Sequence, residues 1–262
     1  MPVIGVEQIA DERLNHFTKL TDMQLRMVSE PREGIFLAEG EKVIRRALGA
    51  GLDMVSALME PKWWPSLQPE VPADVPVFLA APEILRQITG FRLHRGALAT
   101  FRRPPMPPAA AVLAGCTSAI LLEDLVDHTN VGAVFRSAAG LGVGAVLVTR
   151  RCADPWYRRS VKTSMGAVFS TAWTTVEDAS QAVDIARGCG MTTIALDPGA
   201  PTSIRDWTRR GPTMLMLGTE GPGLSESARR LVDQSLSIPM SHDVDSLNVA
   251  MAATIAAYVL TS

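Results

Sequence analysis

The sequence predicts an α/β protein built in two parts. Strand-length apolar runs alternate with segments of helical periodicity along most of the 262 residues. The alternation is interrupted at Arg102-Arg103-Pro104-Pro105-Met106-Pro107-Pro108, where four prolines in five positions fit neither a helix nor a central strand. Apolar residues make up 47% of the chain and charged residues 20%, which is enough apolar material for a core in each part. The expected organisation is a small α/β domain over residues 1–103, an extended Pro/Ala-rich linker over 104–116, and a second domain over 117–262. Alternating strands and helices in the second domain call for a mainly parallel sheet covered on both faces.

In the first part, Leu14, Phe17, Leu20, Leu25 and Val28 have helical spacing within residues 11–29. Ile35-Phe36-Leu37-Ala38 reads as a short buried strand, and Glu41 to Ala50 as a helix that Gly51 stops. Met54–Met59, Val77–Ala80 and Gly96–Phe101 read as further strands. In the second part, strands are expected at Ser118–Glu123, Ala145–Thr149, Thr192–Leu196, Thr213–Leu217 and Ser235–Ile238. Helices are expected from about Gly132 to Leu141, and over Ala179–Arg187, Ser225–Val232 and Leu247–Leu260.

The formal net charge of −2 excludes a strongly basic nucleic-acid binder but leaves room for a locally basic one. No apolar run reaches the roughly 18 residues of a membrane span. The segment MPVIGVEQIADER lacks the basic-then-apolar pattern of a signal peptide, so a cytoplasmic location is expected. Cys116, Cys152 and Cys189 have no CxxC spacing, which argues against a zinc site or a disulfide framework and suits a reducing compartment.

Three loops of the second part carry chemistry. Asp127-His128-Thr129-Asn130-Val131-Gly132-Ala133-Val134-Phe135-Arg136 lies between a strand and a helix, where open α/β sheets place ligands. Taken alone it reads as a helix capped by Asn130 with Arg136 on its surface. Leu217-Gly218-Thr219-Glu220-Gly221-Pro222-Gly223-Leu224-Ser225 puts three glycines in six positions. It is neither a P-loop nor the dinucleotide fingerprint, and it suits a tight turn as well as it suits close approach of a ligand. Ile238-Pro239-Met240 leads through a polar loop to Ser246-Leu247-Asn248-Val249-Ala250 and an alanine-rich helix, with Ser246 or Asp245 as its expected N-cap. Packing and capping account for most of that segment, but not for a polar Asn248 in the first turn.

In this order and spacing, the three segments resemble the SpoU (TrmH-type) family of RNA ribose 2′-O-methyltransferases, of the SPOUT superfamily, over about residues 117–262. In the first part, Glu39-Gly40-Glu41-Lys42-Val43-Ile44 and Gly96-Ala97-Leu98-Ala99 resemble the small ribosomal-protein-like RNA-binding domain often fused in front of it. The resemblance implies a parallel sheet whose C-terminal chain forms a deep trefoil knot, a homodimer packed through the knotted domain, and S-adenosylmethionine as methyl donor. The donor's sulfonium makes the methyl electrophilic, so no metal is required. By position, Gly218, Ile238 and Leu247 would line the donor site. Leu217, Gly221 and Met240 would lie beside them, with Leu196 opening another donor-side loop. The catalytic set carried over is Arg136, Asn130, Glu220, Asn248 and Ser246.

Arg136 has two possible roles. It would take the proton of the ribose 2′-hydroxyl transiently, or it would grip an RNA phosphate and stabilise the developing alkoxide. A guanidinium is effectively always protonated, which favours the second role. Asn130 would orient Arg136 or the ribose, and Glu220 and Asn248 would fix loop geometry or the acceptor.

The acceptor is expected to be structured RNA, ribosomal more than transfer RNA. Its phosphates would meet Arg92, Arg95, Arg102 and Arg103, in a stretch without acidic residues from Ile84 through Leu122, and Arg158 and Arg159 in a second cluster. Trp156, Tyr157 and Phe91 are stacking candidates among these charges, which otherwise form a solvated face. The competing readings are a non-catalytic RNA- or ribosome-binding protein that keeps the fold, and a metabolic enzyme using a nucleotide cofactor.

Overall fold

The computed structural model describes residues 2–7, 11–91, 96–241 and 246–262. The chain forms β1 (Val3–Gly5), α1 (Met23–Glu33), β2 (Ile35–Glu39), α2 (Glu41–Gly49), β3 (Met54–Met59), α3 (Trp64–Leu67), β4 (Val77–Leu79), α4 (Pro82–Thr89) and β5 (Ala97–Arg102). It continues with α5 (Ala109–Leu113), β6 (Ser118–Leu122), α6 (His128–Leu141), β7 (Ala145–Thr149), α7 (Arg158–Thr163) and β8 (Ala172–Val176). The last elements are α8 (Ala179–Gly188), β9 (Thr192–Leu196), β10 (Thr213–Leu217), α9 (Glu226–Leu231), β11 (Gln234–Leu236) and α10 (Val249–Thr261).

These elements form two compact units. The first comprises Met1–Pro104 and Trp156–Phe169, the second Pro105–Pro155 and Ser170–Ser262. The segment Trp156–Phe169 therefore departs from the expected 117–262 domain. Packing explains why it joins the first unit. The Trp156 ring lies 4.8 Å from that of Phe36, and Phe169 packs on the same ring at 5.3 Å. Arg158 and Lys162 both reach the buried Glu39 carboxylate, at 2.7 and 2.5 Å. Trp156 and Tyr157 are buried, and the Arg158 guanidinium covers the Phe91 ring at 4.6 Å. None of the three aromatic rings is thus the open base platform that the sequence reading allowed.

The first unit holds a five-stranded sheet in the order β1-β4-β3-β5-β2, with β5 antiparallel to both neighbours. The expected helix over 11–29 is two pieces, a 3-10 turn at Glu12–Phe17 and α1. Lys19 takes a positive φ of 51° between them, and Asp22 starts α1 by accepting from the Leu25 N–H at 3.0 Å. After this break the register changes. Leu14, Phe17 and Leu20 are buried, whereas Leu25 and Val28 are exposed and α1 instead buries the Arg26–Glu30 ion pair.

The second unit is a six-stranded, wholly parallel sheet in the order β11-β9-β10-β6-β7-β8. Strands β6, β7 and β10 are buried along their whole length, which explains their unbroken apolar sequences. The chain runs β6→β7→β8 to one side and returns on the other side of β6 with β10, so the strand order reverses there. Ligands of open α/β sheets bind at the carboxyl ends of strands beside such a reversal.

Four local expectations are corrected. The 104–116 segment is not extended throughout, because α5 sends Ala109, Val112 and Leu113 into the core of the second unit. Helix α6 begins at His128 rather than Gly132, because Asp127, not Asn130, is its N-cap and accepts from the Asn130 N–H at 2.8 Å. Strand β11 covers Gln234–Leu236 instead of Ser235–Ile238. Helix α10 is capped by Asn248, whose side chain accepts from the N–H groups of Ala250 and Met251, rather than by Ser246 or Asp245. Strand β8 and helix α7 were absent from the sequence reading. Polar Thr174 and Thr175 blur β8, and α7 is only one and a half turns long.

Candidate active site

The carboxyl edge of the parallel sheet gathers the three loops. Residues after β6 lead into α6, residues after β10 form the glycine-rich turn, and residues after β11 lead towards α10. They meet in a polar cluster. The Asn130 Nδ2 donates to Glu220 Oε1 at 2.8 Å. The Asn248 Nδ2 donates to the same oxygen at 2.9 Å and to Asn130 Oδ1 at 3.0 Å. Three residues separated by 90 and 118 positions of sequence therefore close a ring of hydrogen bonds. The Asn248 Oδ1 meanwhile caps α10, so the polar ring and the start of that helix depend on one side chain.

The glycine-rich turn is folded back on itself. Thr219 and Gly223 exchange backbone hydrogen bonds at 3.0 and 3.1 Å. A Cβ on Gly218 would lie 2.1 Å from the Gly223 carbonyl carbon and the Leu224 nitrogen, so no side chain fits there. Gly223 has φ +72°, which favours glycine. Both ends of the turn are held by Glu123. Its N–H donates to the Leu217 carbonyl at 2.8 Å, and its buried carboxylate accepts from the Ser225 N–H at 2.8 Å and the Ser225 hydroxyl at 2.6 Å. Ser225 also caps α9 by accepting from the Ala228 N–H.

Beside this turn lies a cavity of about 290 Å³. Leu196, Leu217, Gly218, Gly221, Ile238, Met240 and Leu247, the seven residues expected on the donor side, are all in its wall. Glu220, Ser246 and Asn248 line it too. Asn130 touches it only through its partners, and Arg136 is not in the wall. Arg229 is the one cation of the lining among the described residues. It donates to the Pro222 carbonyl at 2.8 Å and faces Asp197 at 3.4 Å. A slot whose wall combines leucine, isoleucine and methionine side chains with the glycine turn and a few polar groups suits a flat heterocycle, which fits the adenosyl part of S-adenosylmethionine.

Arg136 is exposed and has no hydrogen-bond or ion-pair partner among the described residues. It lies six residues beyond Asn130 on α6, about 9 Å along the axis. The expected RNA contacts separate into groups. Arg102 and Arg159 are exposed. Arg103 donates to the Ile35 carbonyl at 2.6 Å, and Arg158 is committed to Glu39 and to the Leu20 carbonyl. Arg92 and Arg95 lie outside the described residues. Sequence reasoning missed Glu123, Ser225 and Arg229. A lone carboxylate ending the apolar run 118–123 was the available signal for Glu123.

Comparison with known proteins agrees with this geometry. The family model of the SpoU rRNA Methylase family matches residues 117–258. An uncharacterized tRNA/rRNA methyltransferase of Mycobacterium bovis is 34% identical over 257 residues, spanning 96% of this chain and 89% of that protein. The 23S rRNA (uridine(2479)-2′-O)-methyltransferase of Streptomyces viridochromogenes is 34% identical over 144 residues, 53% of this chain and 50% of that one. The crystal structure of the SpoU methyltransferase AviRb from Streptomyces viridochromogenes, in complex with the cofactor AdoMet, superposes with a TM-score of 0.81 at 26% identity, covering 96% of this chain and 97% of that one. Fold and family together define an S-adenosylmethionine-dependent RNA methyltransferase. The chain belongs to the SpoU rRNA Methylase family.

Proposed function

We propose that the chain transfers a methyl group to a ribose 2′-hydroxyl of structured RNA, ribosomal in preference to transfer RNA. The observation that carries this reading is the Asn130–Glu220–Asn248 ring, closed at the edge of the donor cavity, with unpaired Arg136 on the same helix as Asn130. The printed activity of the Streptomyces viridochromogenes relative, a 2′-O-methylation of 23S rRNA, supports both the reacting atom and the RNA class.

Bound S-adenosylmethionine supplies a methyl group made electrophilic by its sulfonium. The residues around it do the positioning. Leu196, Leu217, Ile238, Met240 and Leu247 shelter the adenosyl face, and the folded glycine turn offers main-chain groups through Gly218 and Gly221. Arg136 grips the phosphate next to the target ribose and stabilises the oxygen as its proton leaves to solvent. Glu220, fixed by two carboxamides, holds the acceptor side of the cleft, and Ser246 faces the same cavity. Orientation of this kind can contribute several kcal/mol to lowering such a barrier.

The first unit serves as the substrate-binding domain. The C-terminal chain is knotted, a reading that rests on the family; α10 returns onto α6, where the Ser137 and Thr254 hydroxyls meet at 2.6 Å. A homodimer forms through the second unit. Met251, Ile255 and Tyr258, spaced i, i+4 and i+7 on α10, are exposed at 63%, 39% and 64%, an apolar stripe that a second copy would cover. Among the described residues no helix is long and apolar enough to cross a membrane, and we place the activity in the cytoplasm with its RNA.

The test is methyl transfer from labelled S-adenosylmethionine to total RNA of a strain lacking the gene, with the product mapped for 2′-O-methylation. One modified ribosomal position is the expected result. Methylation confined to a base nitrogen or carbon would overturn the reading, and a transfer RNA product would correct its RNA class.

A further inference from the structure

The segment between β9 and β10 enters the donor site only at its start, through Pro198, beside Leu196 at the end of β9. The remainder, up to Pro212, carries Arg205, Trp207, Arg209 and Arg210, which neither the cavity nor the polar ring uses. The second unit contains nine arginines and no lysine. Five of these arginines are ion-paired: Arg150 with Glu177, Arg151 with Asp124, Arg187 with Asp233, Arg229 with Asp197 and Arg230 with Glu226. Among the described residues of the second unit, only the arginines Arg136, Arg205, Arg209 and Arg210 have no side-chain partner. Three of the four fall within six residues, and Asp206 is the sole acidic residue between Pro198 and Thr219.

The backbone that displays them is built rather than loose. The Ser237 N–H donates to the Thr202 carbonyl and the Ile204 N–H to the Ser237 carbonyl, both at 2.8 Å. Ile204 is buried, the Asp206 N–H closes onto the Ser203 carbonyl, and the Trp207 Nε1 donates to Gln234 Oε1 at 3.1 Å. These bonds lash the segment to the edge strand β11, whose continuation supplies Ile238 and Met240 to the donor cavity. The result is a cationic strip anchored as far as its half-buried indole, with Arg209 and Arg210 just beyond the last tie, next in the chain to two walls of the cleft.

We propose that residues 203–210 are an RNA-docking surface of the methyltransferase unit. The Arg205, Arg209 and Arg210 guanidinia take phosphodiester oxygens, and Trp207 presents its ring to an unpaired base. Guanidinium pairs well with phosphate, and cations left without carboxylate partners keep their full charge for it. The inference rests on RNA being the substrate, and it adds to that reading where the strand lies on the second unit.

The test uses the full chain and a short fluorescein-labelled single-stranded RNA, with affinity followed by anisotropy between about 50 and 300 mM salt. The triple variant Arg205→Gln, Arg209→Gln, Arg210→Gln is expected to bind roughly tenfold more weakly, with the slope of log K against log salt reduced by about 2, the value for three phosphate contacts on a single strand. Donor affinity by calorimetry stays unchanged, which separates lost contacts from lost folding. The triple Arg→Lys variant recovers most of the slope, and Trp207→Leu weakens binding without altering it. A triple Gln variant with wild-type affinity and slope overturns this inference alone. A wild-type chain that binds no RNA overturns both this inference and the reading it rests on. Loss of an acidic protein partner with RNA binding intact would make the strip a protein-docking surface instead.

Discussion

Glu123 holds Ser225 through both of its carboxylate oxygens, one on the Ser225 N–H and one on its hydroxyl, across 102 positions of sequence. Because the Glu123 N–H also grips Leu217, a single residue at the end of β6 clamps the glycine turn at entry and exit. Glu123→Ala leaves the Ser225 N–H without its acceptor, at a cost of about 2–3 kcal/mol for a hydrogen bond to a charged group. Donor affinity should fall about tenfold in calorimetry. Ser225→Ala should cost about 1 kcal/mol more than its bond to Glu123, because it also uncaps α9. A double variant that loses no more than the worse single one would show the two acting as a unit. Full additivity would separate them.

Gly218→Ala tests the turn more sharply. The added methyl carbon would sit 2.1 Å from main-chain atoms of Gly223 and Leu224, and backbone cannot rotate away as a side-chain tip does. The turn must open, which carries Glu220 off Asn130 and Asn248. Calorimetry with S-adenosylmethionine should detect no binding, while the thermal transition drops by several degrees. Normal donor affinity in this variant would mean that the turn is not the donor wall.

Arg136 separates binding from chemistry. It lies outside the cavity wall, and no contact among the described residues depends on its charge. Arg136→Ala should leave stability and donor affinity near normal while methyl transfer drops by at least about 100-fold, as for the loss of a group that stabilises developing charge. Arg136→Lys should rescue only weakly, since an ammonium cannot make the bidentate phosphate contact. Retained activity in Arg136→Ala would remove this residue from the mechanism. Glu220→Gln tests the ring, because an amide oxygen attracts the two donors more weakly than a carboxylate. A fall in transfer with unchanged donor binding is expected.

What the sequence revealed follows from how local each signal is. Strands β6, β7 and β10 were legible because burial on both faces leaves a nearly unbroken apolar run. The positions of Asn130, Glu220 and Asn248 were legible as family motifs, but their ring was not, since it joins residues 90 and 118 positions apart. Asn248 looked anomalous inside a helix only because the helix was placed two residues early. Once it is the N-cap, its polarity is what the terminus requires. The break after Leu20 was hidden because Leu25 and Val28 continue the helical spacing even though they face solvent. The inclusion of Trp156–Phe169 in the first unit had no local signal, because it rests on Phe36 and Glu39, more than 100 residues away.

Acid stability should carry the signature of Asp233. The Thr193 N–H, first, and then the Thr193 hydroxyl and the Arg187 guanidinium hold its carboxyl below the ordinary value, against burial that raises it. A depressed folded pKa contributes stability that is fully present above the unfolded value near 3.9 and is lost as pH falls through the folded one. The group is partly open to solvent, so the contribution should be no more than about 1 kcal/mol. Denaturant titrations of wild type and Asp233→Asn should differ by a constant amount above about pH 5, and the gap should close only as the pH falls from the unfolded value through the lower folded one. A gap that stays constant with pH would assign the effect to packing.

Glu39 offers the test of the unexpected unit boundary. Its carboxylate is buried with Arg158 at 2.7 Å and Lys162 at 2.5 Å, so it ties α7 to the end of β2. Glu39→Ala leaves the mostly buried Arg158 without its carboxylate, while the half-exposed Lys162 turns to water; breaking a buried pair costs about 3–5 kcal/mol. Arg158 keeps the Leu20 carbonyl and the Phe91 ring, which places the expected loss at the lower end of that range. Amide exchange over residues 156–169 should then rise towards that of a frayed segment, while β6, β7 and β10 keep their protection. Glu39→Gln should fall between the two, retaining one acceptor for Arg158. If exchange in 156–169 rises no more than in the sheet of the second unit, the segment owes its place to Trp156 and Phe169 packing on Phe36, and Phe36→Ala becomes the variant that releases it.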